Sequence, residues 1–393
     1  MGHHSNTRDT IVPLIDRLNR YPIGLPDSNK LRQILEILFS EDEAFVASRF
    51  PLREASLSEL IRATGFKEHA LVEVLEKMAD KGLVMDLPYN GKIYYLLLPG
   101  LIGFFEFTFM KQRQDLPLEE LAQLMHEYLF EDPENLMGKE MFASKTPLTR
   151  SLPYEEHIPV HSLVTTYESA RQIVREAGYG AIGMCYCRHK KEHLNQSCDK
   201  NAPTQEICIS LGNAARFMVR RGFAQERSVE ELLLVLDRAR ELNLTHITDN
   251  IRYKPSFICN CCSCCCELLG GVMRGFPLGV AKAGYTLEVA EQTCLGCGLC
   301  SKACNVEALV MSGREGSSSK KIARVSEEKC LGCGACISVC KTGSLSLTPR
   351  VRPEPPARKR DLFMRILKEK KRLTPFVVEG VKKKVMRVVG LRR

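Results

Sequence analysis

From Ser28 to Gly100 the apolar positions follow helical spacing first and strand alternation afterwards. LRQILEILF at 31–39 repeats every three to four residues, and SLSELIRATG at 56–65 opens on a serine cap and stops at glycine. KEHALVEVLEKMADKGLV at 67–84 is a further amphipathic helix. MDLPYNGKIYYLLL at 85–98 alternates around Asn90-Gly91, the dipeptide that best suits a two-residue hairpin turn. Residues 101–152 read as a helical connector containing GFFEFTFM and the acidic PLEELAQLMHEYLF. Next, a helix ends at Gly178, a strand-like AIGMCYCR follows, and SVEELLLVLDRARELN and LTHIT predict a helix and a strand.

The order helix, helix-turn-helix, hairpin over 28–100 resembles the winged-helix domains of transcription factors. The charges on its last helix argue against nucleic acid. Lys67, Lys77 and Lys81 are balanced by Glu68, Glu73, Glu76 and Asp80, which suits docking better than phosphate contact. His126 has no second ligand type at usable spacing and reads as a packing residue.

The net charge is +9, but residues 350–393 carry 16 Lys or Arg against four acids, which leaves −3 for everything before them. The proline-rich RVRPEPPARKR reads as a linker. In FVVEGVKKKVMRVVGL, Val377, Val378, Val381, Val385, Val388 and Val389 share a helical face beside Lys382, Lys383, Lys384 and Arg387. That pattern fits a helix on a membrane surface, a helix on an acidic partner, or a disordered tail. No run of 18 apolar residues occurs, and no apolar signal segment opens the chain. The expected location is therefore the cytoplasm, peripheral to the inner face of the membrane if the tail binds lipid, with thiols reduced.

Eighteen cysteines change the picture. Cys294, Cys297, Cys300 and Cys304 form C-x2-C-x2-C-x3-C, and Cys330, Cys333, Cys336 and Cys340 repeat it. The short gaps let three thiolates on one loop face a cube, while the fourth points away. Zinc has no use for the third cysteine of such a run. TCLGCGLCSKACNVEAL and KCLGCGACISVCKTGSL resemble the bacterial two-cluster ferredoxins over 285–348, which implies two [4Fe-4S] clusters with crossed ligands. Cys294, Cys297, Cys300 and Cys340 would hold one, and Cys330, Cys333, Cys336 and Cys304 the other. Asn305 and Lys341 stand where that family usually has proline. Leu295, Leu331 and Ile337 are expected to shield the clusters. MSGREGSSSKK at 311–321 reads as a polar loop.

Ten further thiols lie upstream: Cys185, Cys187, Cys198 and Cys208, then Cys259, Cys261, Cys262, Cys264, Cys265 and Cys266 in CNCCSCCC. Disulfides between neighbours are geometrically poor, so these read as ligands of one or two further iron-sulfur clusters. Arg188 could offset thiolate charge, and His189 and His193 read as a solvated face. Gly178, Gly180 and Gly183 spell G-x-G-x-x-G without the preceding strand that a dinucleotide site needs. The cysteine pattern as a whole resembles iron-sulfur proteins of anaerobic bacteria that end in a two-cluster ferredoxin module.

These observations predict an α+β multidomain protein. It comprises a winged-helix-like domain (28–100), the connector (101–152), a cysteine-rich α/β domain (153–284), a ferredoxin domain (285–348) and a basic amphipathic tail (349–393). The expected role is electron transfer to a redox partner protein, as a carrier more than a stand-alone enzyme. Two alternatives are a reductase acting at Cys259–Cys266 and a redox-sensing winged-helix regulator. No nucleotide or flavin fingerprint and no acid-base constellation is present.

Overall fold

The computed structural model describes residues 8–142, 144–158, 165–313 and 321–374. The valine-rich segment 376–391 lies outside them. No helix among the described residues is long and apolar enough to cross a membrane. The fold is mixed α+β with several sheets, and the chain divides into two compact units, 1–144 with 363–393, and 145–362.

In the first unit, helices Asn29–Leu38, Leu57–Thr64 and Glu68–Lys81 stand where the apolar period placed them. Glu41–Ser48 was not expected as a helix. A reciprocal cap between Ser40 and Glu43 starts it, supplying the orphan N–H groups that its weak apolar stripe would not have signalled. Leu57–Thr64 has the same device at Ser56 and Glu59, and stops at Gly65 in the left-handed conformation. Val84–Tyr89 and Lys92–Leu97 form the hairpin, with Asn90 and Gly91 both at positive φ, and Ala55–Ser56 pairs with the second strand. Helices Leu118–Phe130 and Leu136–Phe142 follow. His126 lies against the Phe130 ring and beside Glu131. Glu140 accepts from the Gly24 N–H and from Lys370 and Arg372.

The second unit is built on a six-stranded sheet. Its order is Thr149–Leu152, Thr245–Asp249, Phe257–Cys261, Cys208–Leu211, Gly180–Gly183, Ala224–Arg227. Every neighbouring pair is antiparallel, so the expected α/β organisation gives way to α+β: no crossover helix joins parallel strands. Ile173 and Val174 of helix Ala170–Ala177, and Leu232 and Leu236 of Val229–Glu241, pack into one core with Ile182, Ile209, Leu211 and Ile258. The segment after Gly183 also differs from expectation. The strand stops there, and Tyr186–Glu192 is helical with Cys185 at its N-cap, so CYCR begins a helix.

Two ribbons form the ferredoxin module: Tyr285–Val289 with Leu345–Pro349, and Leu309–Gly313 with Lys321–Val325. Met311–Gly313 and Lys321 are thus strand rather than loop, and residues 314–320 between them lie outside the described set. The proline-rich segment is tied down: Arg252 and Tyr253 donate their N–H groups to the Pro356 and Ala357 carbonyls, and Arg352 pairs with Glu168. Helix Lys359–Glu369 follows, burying Leu362, Ile366 and Leu367.

Gly332 has φ +70°, and a Cβ there would lie 2.0 Å from the Tyr285 carbonyl oxygen. Gly343 has φ +64° with open space around it. Gly332→Ala should cost about 2–4 kcal/mol of this unit's stability and Gly343→Ala about 1 kcal/mol. Thermal unfolding of the two anaerobic holo-variants checks this, and equal losses would contradict it.

Candidate metal centres

The two ferredoxin loops turn on left-handed glycines. Gly296 and Gly332 bring their backbones so near to Lys321 and Tyr285 that any side chain would collide. The sulfurs these loops present influence one another across space. Cys300 is raised by burial, with Cys294 and Cys297 adding to it. Cys333 is pushed up to about 11, first by burial and then by Cys304 and Cys330. Cys336, raised well above its ordinary value by burial, feels Cys333, Cys304 and Cys330. Cys304 is therefore drawn into the company of the second loop. Cys297 is exposed and Leu295 is 78% exposed, so Leu295 does not shield a cluster as expected. Leu331 is buried and Ile337 partly so.

The second loop is seated on the large sheet. The Cys333 carbonyl accepts the Tyr154 N–H at 2.9 Å, and the Thr245 hydroxyl donates to the Cys333 sulfur at 3.7 Å. Asn305 is 2% exposed, and its amide donates to Thr245 Oγ1 and to the Asn243 carbonyl. A proline in its place would offer no such donor.

The ten upstream thiols separate into two groups. Cys198, Cys262, Cys264 and Cys265 have their sulfurs all within 4.8 Å of one another, the only such set among the described residues. Cys198 is 3.6 Å from Cys262 and 3.7 Å from Cys264, and Cys264 is 3.6 Å from Cys265. A tetrahedral ion with bonds of about 2.3 Å has ligand edges of about 3.8 Å. The tetrad therefore fits one zinc or iron, whereas thiolates on the four corners of a cluster radiate apart.

The other six form a closed ring. Cys185 bonds Cys187 and Cys208; Cys259 bonds Cys208 and Cys261; Cys266 bonds Cys187 and Cys261. Acidity alternates around it. Hydrogen bonds from their neighbours bring Cys259 down to about 6 and Cys185 and Cys266 well below the ordinary thiol value. The intervening Cys187 is raised, by burial first, and Cys208 and Cys261 are raised, first by those same bonds. CNCCSCCC serves both groups because it changes conformation along its length. Cys259 and Cys261 lie on one side of strand Phe257–Cys261, Cys262 follows the strand, a turn carries Cys264 and Cys265, and Cys266 is the N-cap of helix Glu267–Met273.

Arg188 is 2% exposed, and its Nη2 donates to the Cys262 sulfur at 3.3 Å and to the Asn260 carbonyl at 3.1 Å. The helix that carries it is not a solvated face: His189 and Lys190 are buried, His189 lies against His193, and Lys190 pairs with Glu267. Lys200, Thr245 and Tyr154 are not singled out by the sequence, since nothing in their spacing marks them. Lys200 donates to the Asn243 and Ala303 carbonyls, each at 3.1 Å. Burial lowers its pKa, against the pull of Cys262 and Cys264 from the tetrad and of Cys333 and Cys304 from the ferredoxin module.

Residues 293–344 match the 4Fe-4S dicluster domain family. No curated protein matches the chain. The C-terminal part of the second unit is thus a 4Fe-4S dicluster domain, which implies two [4Fe-4S] clusters, and the tetrad could hold a further metal centre.

Replacing Cys264 and Cys265 by Ser should remove one metal ion per chain and no acid-labile sulfide. Elemental analysis with a sulfide assay checks it, and a loss of sulfide in step with iron would contradict the single-ion fit.

Proposed function

We propose that the protein transfers single electrons between an external redox partner and the thiol-rich centres of the six-stranded sheet, by way of the dicluster domain. Bound clusters supply the one-electron chemistry. The chain supplies their spacing, their hydrogen bonds and their exclusion from water. In this reading Cys294, Cys297, Cys300 and Cys340 hold one cluster, and Cys330, Cys333, Cys336 and Cys304 the other.

The observation that carries the reading is Thr245. Its hydroxyl lies on the Cys333 sulfur, and its backbone is paired across the sheet with Cys261. Neighbouring strands are about 5 Å apart, so one residue joins a ferredoxin ligand to the six-thiol ring. Lys200 makes a second link, with sulfurs of the tetrad and of the dicluster domain both acting on its charge. At the other end, exposed Cys297, Leu295 and Val310 give the partner protein an apolar approach to the first cluster.

The segment 28–100 serves in this proposal as a winged-helix docking module. Nucleic acid is not its ligand: helix Glu68–Lys81 is acidic on balance, and Lys81 is committed to Glu43 at 2.6 Å. A second reading, a reductase acting at the tetrad, draws support from the half-buried Cys198, Cys264 and Cys265, which leave a side open to a small acceptor. The valine-rich tail would add contact with a membrane surface or an acidic partner.

Thr245→Val removes the donor to Cys333. It should lower the second cluster's midpoint potential by roughly 20–60 mV, the one-electron equivalent of about 0.5–1.5 kcal/mol. It should also slow electron exchange with the middle centres after rapid reduction. Anaerobic potentiometry with EPR detection and stopped-flow absorption measures both. Unchanged potential and unchanged kinetics would remove Thr245 from the path.

A further inference from the structure

The tetrad is drawn from two pieces of chain that are held very differently. Cys262, Cys264 and Cys265 sit on a braced segment. Arg188 Nη2 donates to the Cys262 sulfur at 3.3 Å and to the Asn260 carbonyl at 3.1 Å, and the Lys191 ammonium donates to the Cys264 carbonyl at 2.8 Å. Cys198 comes from the loop between helix Tyr186–Glu192 and strand Cys208–Leu211. It opens a turn closed by the Asn201 N–H on its carbonyl at 2.9 Å, with Asn201 in the left-handed region. Backbone to backbone, residues 197–203 bond only within that turn among the described residues, so side chains hold it in place. On one side the Cys198 sulfur lies 3.6 Å from Cys262 and 3.7 Å from Cys264.

On the other side Lys200, two residues further on, reaches the first cysteine run of the dicluster domain. Its ammonium donates to the Ala303 and Asn243 carbonyls, each at 3.1 Å. Ala303 is the last residue of helix Leu299–Ala303, where carbonyls lack a partner within the helix and a lysine is a favourable donor. Cys304 follows it directly. Asn305, next in the chain, donates to the same Asn243 carbonyl at 2.8 Å and to Thr245 Oγ1 at 3.0 Å. Cys304 is therefore gripped from both flanks. In the crossed arrangement it is the one ligand of the second cluster that does not come from the 330–336 loop, so its position depends on these outside braces.

We propose that the tetrad is a metal clasp for the second cluster: a divalent ion bound by Cys198, Cys262, Cys264 and Cys265 fixes the turn 198–201, and Lys200 passes that order on to Cys304. Lys200 is a positioning residue, acting through the Ala303 carbonyl. Zinc and ferrous iron serve equally, because a clasp needs coordination and no electron. Asn305 still grips when the clasp is open, so the second cluster then stays in place but becomes labile. The inference rests on the crossed ligand assignment of the electron-transfer reading; its test follows cluster loss and not electron flow, so either can fail alone.

The experiment challenges the anaerobically purified full chain with an excess of an aromatic diimine chelator of ferrous iron and follows the acid-labile sulfide that remains. The tetrad ion carries no sulfide and does not enter the count. The first cluster, with Cys297 exposed, accounts for a fast phase of about four sulfides, and the second, with Cys330 and Cys336 buried, for a slow phase of about four. Cys264→Ser/Cys265→Ser should speed the slow phase about tenfold, the scale of a lost hydrogen bond to a charged group, and leave the fast phase as it was. Lys200→Met should do the same with the tetrad ion still bound. The three substitutions together should give no more than the larger of the two effects, since both act along one path. An unchanged slow phase in Lys200→Met overturns the proposal even where the cysteine variant fails to fold. So do multiplied rates in the combined variant, or acceleration of the fast phase in place of the slow one.

Discussion

Sulfur packed against sulfur out of water is the constraint on which the second unit depends. Thiolates at such range repel strongly where the dielectric is low, and neutral thiols there make only weak hydrogen bonds. Among the six upstream thiols outside the tetrad, hydrogen bonds from neighbouring sulfurs draw Cys185, Cys259 and Cys266 below the ordinary thiol value, while Cys187, Cys208 and Cys261 are raised. Metal bound among these thiols would relieve the repulsion by replacing protons, and would then couple folding of the sheet to loading. The cations follow the same logic. Arg188 is buried between ring and tetrad, and Lys200 stands between the tetrad and the dicluster domain. The sheet carrying these groups is conventional in its core, where Ile182, Leu211, Leu232 and Ile258 do the packing.

The contact between that sheet and the dicluster domain is a small polar network in a buried place, where each unmade bond is costly. Asn305 and Lys200 both donate to the Asn243 backbone carbonyl there, and Asn305 donates to Thr245 as well, while the Asn243 and Asn305 side-chain oxygens find no partner among the described residues. Asn305 stands where simpler ferredoxins have proline, and in the fold it fastens the end of the first cysteine run to the sheet. The departure from the family pattern thus marks where this domain has been given a fixed neighbour.

The dicluster domain was legible because its ligands recur at short fixed spacing within 50 residues, and local backbone geometry decides the rest. Capped helices such as Leu57–Thr64 and the Asn90-Gly91 hairpin were legible for the same reason. The division of the ten upstream thiols was not. Cys208 comes beside Cys259 because antiparallel strands distant in sequence pair, and Cys198 reaches Cys262 from a loop outside the sheet; nothing in the spacing encodes either approach. CYCR was read as strand since it continues an apolar run, yet the chain turns at Met184 and Cys185 into a helix with no side-chain cap to announce it. Thr245 was invisible for a simpler reason: a threonine in a strand is ordinary until a sulfur is placed over it.

The proposed electron transfer requires that metal outside the dicluster domain share electrons with it. Mössbauer spectroscopy of the full chain loaded with iron-57, recorded through a stepwise anaerobic reduction, tests this most directly. The expected result is a third population of iron that changes oxidation state in the same titration as the two four-iron clusters. A spectrum in which only those two clusters respond, with the remaining metal redox-silent zinc, would contradict it.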